Sequence, residues 1–449
     1  MSTIEKHDMT QGKILLPLVS FTIPLVLGNL FQLTYNAADS VIVGKYVGEQ
    51  ALAAVGTSTP IMNIAILLIS GMCMGASVLM SSQYGAKDYD TLSRQISTTM
   101  LAGCGFSVVF SLLMLLLANP VLRLIRVPET AIPEAAAYLR IIFMGLIFTF
   151  MYNFLANTMR ALGDSKTPLY FLVTSAFLNI FGDLFFVVVL RWGVAGSAIA
   201  TVCSEGLCCL LCGIYIKKKI PLLCLGKKWW VFDKSLLGKT VIYGSTSAMQ
   251  QVCLQLGKLI IQSVVNTQGV AVMAAFTAVN RVDDFAYTPQ QNIGHAMTTF
   301  LAQNKGAGHK ERMKKGFQTG LLIELVYSIG LFCVIWGLAP QIMTLFAEDG
   351  DAQVVSLGIS YLHLISWMYI LPGLTNGVQG FFRGIGDLKV TLYSTFMNMF
   401  GRVVAVFVMI RLLQMEFASL AWANMVGWIV MLLFEVPLLV KSMRNGECG

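Results

Sequence analysis

Long apolar segments separated by short polar ones recur along the whole chain, and their length fixes the class of protein. Many exceed the roughly 18–20 apolar residues that a helix needs to cross a hydrocarbon core. The pattern predicts twelve spans, near 14–43, 51–80, 93–118, 135–159, 167–190, 194–216, 236–264, 270–301, 317–339, 352–381, 388–411 and 415–440. A transmembrane barrel needs alternating strands of about ten residues, and no such strands are present. The predicted fold class is therefore an all-α polytopic membrane protein with no soluble domain between spans. The polar start, Met1 to Asp8, leads into a long apolar run from Ile14 that lacks a small-residue cleavage site, so this run is expected to remain as the first span.

Composition agrees. The 449 residues are 56% hydrophobic and 12% charged, against about 25% charged in a soluble domain. The net charge of +8 is unevenly spread. With the N-terminus inside, basic residues crowd the cytoplasmic segments, as in Lys217-Lys218-Lys219, Lys227-Lys228 and Lys314-Lys315. The outer segments keep only Lys45, Arg123, Arg126, Arg140, Arg191 and Arg411. This bias satisfies the positive-inside rule, so both termini are expected in the cytoplasm of a cell inner or plasma membrane. Trp229 and Trp230 follow the central basic segment, where an interfacial anchor is expected. The clustered Cys203, Cys208, Cys209 and Cys212 lie in an apolar span with no His nearby and read as packing residues.

The chain repeats itself. Gln83-Tyr84-Gly85-Ala86 after the second span matches Gln303…Gly306-Ala307 after the eighth. Arg160-Ala161-Leu162-Gly163-Asp164 matches Arg383-Gly384-Ile385-Gly386-Asp387, and Asn179-Ile180-Phe181-Gly182-Asp183 matches Asn398-Met399-Phe400-Gly401-Arg402. The matches keep one order at a nearly constant offset. They predict two six-helix bundles, an N-lobe over 1–216 and a C-lobe over 236–449, joined by a basic cytoplasmic linker over 217–235. Six spans per lobe make the repeat parallel, an arrangement found in transporters with a site at the repeat interface.

Polar side chains fall in stripes on these spans. Span 1 carries Asn29, Gln32, Asn36 and Asp39 on one helical face, with Tyr35 one turn before Asp39. Span 4 carries Asn153 and Asn157, span 5 Asn179 and Asp183, and span 6 Thr201 and Glu205, each pair four apart. Polar faces on spanning helices point to a bundle interior or a water-filled cavity. Asn and Gln can simply join helices, at around 0.6 kcal/mol each. A carboxylate at bilayer depth costs roughly 2.5–3.5 kcal/mol or more, which is high for such a role, so Asp39 and Asp183 mark an ion site. In the second half, Lys258, Arg281, Asp283, Asp284 and Arg402 are expected to form an internal charge network. Glu324 and Glu435 stand alone on apolar helices toward the membrane edge and read as structural. Pro24 removes a hydrogen bond from span 1 and predicts a kink usable as a gate. Gly373, Gly377, Gly380 and Gly384 predict close helix packing in span 10.

The run Asp233 to Thr240 has Lys239-Thr240 but lacks the first glycine of a phosphate loop, and no strand precedes it. No ATP drive is expected, nor any enzymatic activity, nucleic-acid partner or resident cofactor.

The twelve spans in two lobes, Asp39, the Asn179/Asp183 pair and the Arg281…Pro289…Gln303-Asn304…Gly306-Ala307-Gly308 pattern together resemble the multidrug and toxic compound extrusion (MATE) family. The resemblance covers essentially the whole chain. It implies a V-shaped pair of bundles and export of small organic, often cationic compounds in exchange for H⁺ or Na⁺, by alternating access and as a monomer. It is nearest to the DinF-like branch, whose N-lobe cation network corresponds here to Asp39, Asn179, Asp183 and Thr201, with Tyr35 and Asn153 beside it. Other branches carry a Glu in span 7, where this chain has Gln251 and Gln255. The alternative implied by the wider superfamily is a flippase for lipids or lipid-linked oligosaccharides, which would use Lys258, Arg281 and Arg402 on phosphate groups.

Overall fold

The computed structural model describes residues 8–125, 127–129, 131–220, 230–346, 352–413, 417 and 419–444, without the side chains of 36–38, 40, 49, 50, 52, 53, 346, 411, 412 and 419. Every regular element among them is helical. The helices are α1 (Leu15–Tyr46), α2 (Glu49–Gly85), α3 (Tyr89–Leu124), α4 (Ile132–Met144), α5 (Leu146–Ala161), α6 (Lys166–Asp183), α7 (Gly193–Lys219), α8 (Lys234–Val265), α9 (Val270–Gly306), α10 (Lys310–Phe346), α11 (Ala352–Ser366), α12 (Ile370–Gly384), α13 (Leu388–Phe407) and α14 (Ser419–Arg444). Among the described residues nine spans are long and apolar enough to cross a membrane, and the bent pair α4–α5 makes a tenth. The more polar α8 and α9 complete the predicted twelve.

The repeat is visible in local geometry as well as in sequence. The fourth span of each half is broken, where a continuous helix is the sequence expectation. α4 and α5 meet at Gly145 with a 47° bend. A Cβ on Gly145 would lie 2.4 Å from the Val202 side chain of α7, so the missing side chain permits that approach. α11 and α12 are separated by a tight 3₁₀ turn, Trp367–Tyr369. The fifth span of each half ends in a π-helical turn, Leu184–Val189 after α6 and Val408–Leu412 after α13. Gly163 and Gly386, at matched motif positions, both take the left-handed conformation (φ +88° and +85°) that glycine allows without steric cost. Asp164 of the first copy then caps α6 by accepting from the backbone N–H groups of Lys166 (3.1 Å) and Thr167 (3.0 Å).

The chain forms two compact units. Unit 1 holds Ile23–Ala248, and unit 2 holds Met9–Thr22 and Met249–Gly449. Each unit thus includes the start of a helix that continues in the other. α1 changes unit beside Pro24, where proline leaves the Ser20 carbonyl without its helical donor.

An arginine near the start of α3 and another near the start of α10 hold the two exchanged starts. In unit 1, Arg94 on α3 pairs with Asp233, while Ser97 Oγ accepts from the Val231 N–H (3.0 Å) and Thr98 Oγ1 from the Asp233 N–H (3.0 Å). Asp233 also caps α8 through the Ser235 N–H (2.9 Å), so the residue that spoils a phosphate loop serves as a helix cap. In unit 2, Arg312 on α10 donates to the carbonyls of Met9 (3.1 Å), Gln11 (2.8 Å) and Gly12 (2.7 Å). Gln303 accepts from the Met9 N–H (3.1 Å), and Asn304 donates to the Met9 carbonyl (3.2 Å). The Gln303-Asn304 motif therefore seats the segment leading into α1.

Small residues set the closest helix contacts. In unit 2, α12 lies on α9 so tightly that a Cβ on Gly380 would be 2.7 Å from the Gly294 carbonyl oxygen. In unit 1, a Cβ on Gly75 would be 2.3 Å from the Tyr243 carbonyl oxygen. In a bilayer, where apolar side chains gain little by leaving lipid, such contact supplies much of the packing energy.

Two outcomes are expected. Gly380→Val forces α9 and α12 apart and should lower stability by about 1–3 kcal/mol, the usual cost of overpacking. Gly238→Ala, with nothing within 4 Å of the added carbon, should be neutral or stabilising. Thermal unfolding of the detergent-purified variants reads the difference. Separately, Arg312→Ala should speed hydrogen exchange at residues 9–18 by about tenfold, because hydrogen bonds to a charged group contribute about 1.5–3 kcal/mol each. Arg94→Ala should do the same at 231–236.

Candidate functional site

The site in unit 1 is organised by one face of α7. Ser197, Thr201 and Glu205 stand four residues apart, which aligns them along that face. Each meets a polar group from a different helix. Ser197 Oγ donates to Asp39 Oδ1 of α1 at 2.6 Å. Thr201 Oγ1 accepts from Asn179 Nδ2 of α6 at 3.1 Å. Glu205 Oε2 accepts from Thr149 Oγ1 of α5 at 2.5 Å. The break at Gly145 precedes Thr149 by one turn and starts the helix that carries it.

Asp183 is the last residue of α6, next to the π-helical turn, and is fully buried. Among the described side chains, no N–H or O–H donor reaches either of its carboxyl oxygens. The group that faces it is the Asp39 carboxyl, within hydrogen-bonding reach. Two ionised carboxylates acting on each other at close range repel, so the pair favours a proton or another cation between them. The Asn179 carbonyl oxygen is also buried and without a donor. Asp39, Asp183 and Asn179 thus gather oxygen atoms that need a cation, and among the described residues no base forms an ion pair with either acid.

The remaining N-lobe candidates divide. Tyr35 shares a hydrogen bond with Gln32 on its own helix and lies within electrostatic range of Glu205 and Asp39. Asn153 and Asn157 donate to the carbonyls of Thr149 (2.9 Å) and Asn153 (2.8 Å), so their amides are spent on the backbone of α5. The Asn36 side chain lies outside the described residues. Pro24 is buried within α1, where the helix changes unit.

In unit 2, the expected charge network separates into pieces. Lys258 pairs with Asp284 at 3.2 Å, both partly exposed. The adjacent Asp283 is buried and is held by tyrosines, accepting from Tyr369 Oη at 2.5 Å and Tyr361 Oη at 3.1 Å. Asn424 in turn donates to Tyr361 Oη at 2.9 Å. Arg402 is half-buried and within electrostatic range of Asp283, but makes no ion pair among the described residues. Arg281 is exposed. The helix period explains the correction, since Asp283 and Asp284 are about 100° apart on α9 and face different surroundings.

Ser197, Thr149, Tyr361, Tyr369 and Asn424 are functional neighbours that sequence reasoning missed. Ser197 had a readable signal, because it extends the Thr201/Glu205 spacing by one more turn. Thr149 and the tyrosines had none, since their roles depend on where the fourth spans break.

Comparisons with known proteins agree with this architecture. The MatE family model matches twice, over residues 24–185 and 247–409. The chain is 31% identical over 391 residues to the probable multidrug resistance protein YpnP of Bacillus subtilis (strain 168), covering 87% of this chain and 86% of that protein. It is 29% identical to the probable multidrug resistance protein YoeA of the same organism, covering 85% and 82%. A solved MOP superfamily transporter from Pyrococcus furiosus has the same fold, with a TM-score of 0.91 at 21% identity over 99% of each chain. With both matched segments lying on the repeat read from its own residues, this multi-pass membrane protein belongs to the MatE family.

Proposed function

We propose that this protein is a multidrug efflux transporter of the DinF-like branch that exports organic, often cationic compounds by proton antiport through alternating access. The observation that carries the reading is a buried Asp183 carboxyl that no described side chain donates to, acted on by the Asp39 carboxyl and not by a base. The names of the Bacillus relatives support the substrate class.

The chemistry follows from the site. In the protonated state Asp39 and Asp183 share a hydrogen and the pair bears a single charge. Binding of an organic cation favours release of that proton, because the freed charge can balance the drug. Entry of a proton from outside restores the shared hydrogen and expels the cation. Ser197 orients Asp39, and the Asn179–Thr201 bond orients the amide beside Asp183. A one-for-one exchange of a proton for a monovalent cation moves no net charge and is driven by the pH gradient, whereas a neutral substrate would also gain about 2.3 kcal/mol per 100 mV, roughly a fifty-fold gradient. Pro24 is the point about which α1 bends as the pair changes charge. The C-lobe pair Lys258–Asp284 and the tyrosine-held Asp283 serve as fixed polar structure, with both termini on the cytoplasmic face.

Sodium is the competing ion, because Asp39, Asp183, Asn179 and Thr201 offer only oxygen ligands to it. A lipid-phosphate flippase would use Lys258, Arg281 and Arg402 together, but Lys258 is paired with Asp284, and Asp283 lies within electrostatic range of Arg402.

Drug uptake into everted vesicles, with proton and sodium gradients imposed separately, tests the reading. Uptake should follow the proton gradient alone. Asp39→Asn should fold with wild-type stability and lose at least about tenfold of gradient-driven uptake, a change in coupling of about 1.4 kcal/mol or more. Wild-type rates in that variant would sink the proposal, and a strict sodium requirement would reassign the ion.

A further inference from the structure

Glu324 differs from its sequence expectation. It stands in the middle of α10 and is 1% exposed, not at a membrane edge. Neither of its carboxyl oxygens has a hydrogen-bond partner. Among the described residues no base forms an ion pair with it. A buried carboxylate left in this state costs far more than a neutral acid in the same place.

The surroundings explain why no donor reaches it. Three groups converge near Gly373 of α12: a Cβ there would lie 2.9 Å from Ser328 Oγ, 3.2 Å from Gln290 Nε2 and 3.4 Å from Glu324 Oε2. Both nearby donors are committed elsewhere. Ser328 Oγ donates to the carbonyls of Glu324 (2.7 Å) and Tyr369 (3.3 Å). Gln290 Nε2 donates to Ser328 Oγ (3.1 Å) and the Tyr369 carbonyl (2.8 Å). The Gln290 carbonyl oxygen, meanwhile, is a buried acceptor with no donor. The Glu324 carboxyl and the Gln290 side chain thus approach the same point by Gly373, each with a buried oxygen that no described group donates to, and a neutral acid there avoids a buried unpaired charge.

We propose that Glu324 is a second proton-binding site of this protein, carried as a neutral acid beside Gln290 and linked through Tyr369 to the break in span 10. Tyr369 belongs to the 3₁₀ turn. Its carbonyl is pinned by Gln290 and Ser328, and its hydroxyl donates to Asp283. When Glu324 releases its proton to water, the carboxylate competes for Gln290 Nε2 and Ser328 Oγ. Taking Gln290 Nε2 leaves the Tyr369 carbonyl only the longer bond from Ser328 Oγ and loosens the turn. The titratable neighbours on the packed elements are few. Tyr327 of α10 donates to the Ala286 carbonyl at 3.1 Å, Tyr369 and Asp283 bond each other, and His363 of α11 stacks on Trp336 further along α10. None of them forms an ion pair with Glu324. The site is not duplicated, since the matched stretch of α3, Leu101-Ala102-Gly103-Cys104-Gly105, has no acid.

The proposal stands independently of the Asp39–Asp183 reading, and infrared difference spectroscopy of the purified full-length protein separates the two. Wild type minus Glu324→Gln, at neutral pH and without sodium, should show the carbonyl band of one protonated carboxylic acid. The band should persist when sodium is added and in an Asp39→Asn background. Glu324→Leu, which needs no hydrogen bond, replaces Glu324→Gln if the latter does not fold. No difference in the carbonyl region, or a band abolished by sodium, overturns the proposal.

Discussion

A carboxylate inside a hydrocarbon layer must find a cation, and the arrangement of unit 1 follows from that requirement. Asp39 and Asp183 come from helices far apart in the chain and meet with no base between them. α7 gives Asp39 its hydroxyl, positions the amide next to Asp183, and accommodates Glu205 one turn on. A lysine or arginine beside the pair would satisfy the charge permanently. Among the described residues none is there, and on the proposed reading the site then depends on an ion that comes and goes.

The two halves share their mechanics and differ in their acids. Arg94 near the start of α3 and Arg312 near the start of α10 hold the segments that lead into α8 and α1. The fourth spans break at matched points, and a hydroxyl at or near each break reaches a carboxylate: Thr149, one turn past Gly145, bonds Glu205, and Tyr369, in the 3₁₀ turn itself, bonds Asp283. A broken helix frees backbone groups that a membrane does not tolerate at its lipid face, so such breaks persist only inside a bundle. The acids themselves are not repeated. Asp183 has Arg402 as its counterpart, and Glu324 has only small apolar residues at its own. The fold therefore carries two symmetrical frames with different contents.

Much of this was legible in the residues. Span length, the parallel repeat and the pairing of Asp39 with Asp183 all rest on one-dimensional signals: apolar run length, motif order, and the cost of a buried charge. What a stripe of polar residues does not carry is the identity of the neighbour across the helix gap. The amides of Asn153 and Asn157 sit on the predicted face yet bond their own backbone. Asp283 and Asp284 are adjacent in sequence, but one faces tyrosines and the other a lysine. Glu324 on an apolar helix read as peripheral, because hydropathy does not distinguish a lipid-facing position from a bundle interior. The breaks at Gly145 and at Trp367–Tyr369 were hidden for the same reason, since both lie within apolar runs long enough to span.

The central claim is that Asp39 and Asp183 hold one exchangeable proton that a bound organic cation displaces. Calorimetry of cation binding to the purified protein, repeated in buffers of different ionisation enthalpy, counts the protons released. The account predicts release by the wild type and one proton fewer from Asp183→Asn at the same pH. Equal release by the two proteins, or none by either, would contradict it.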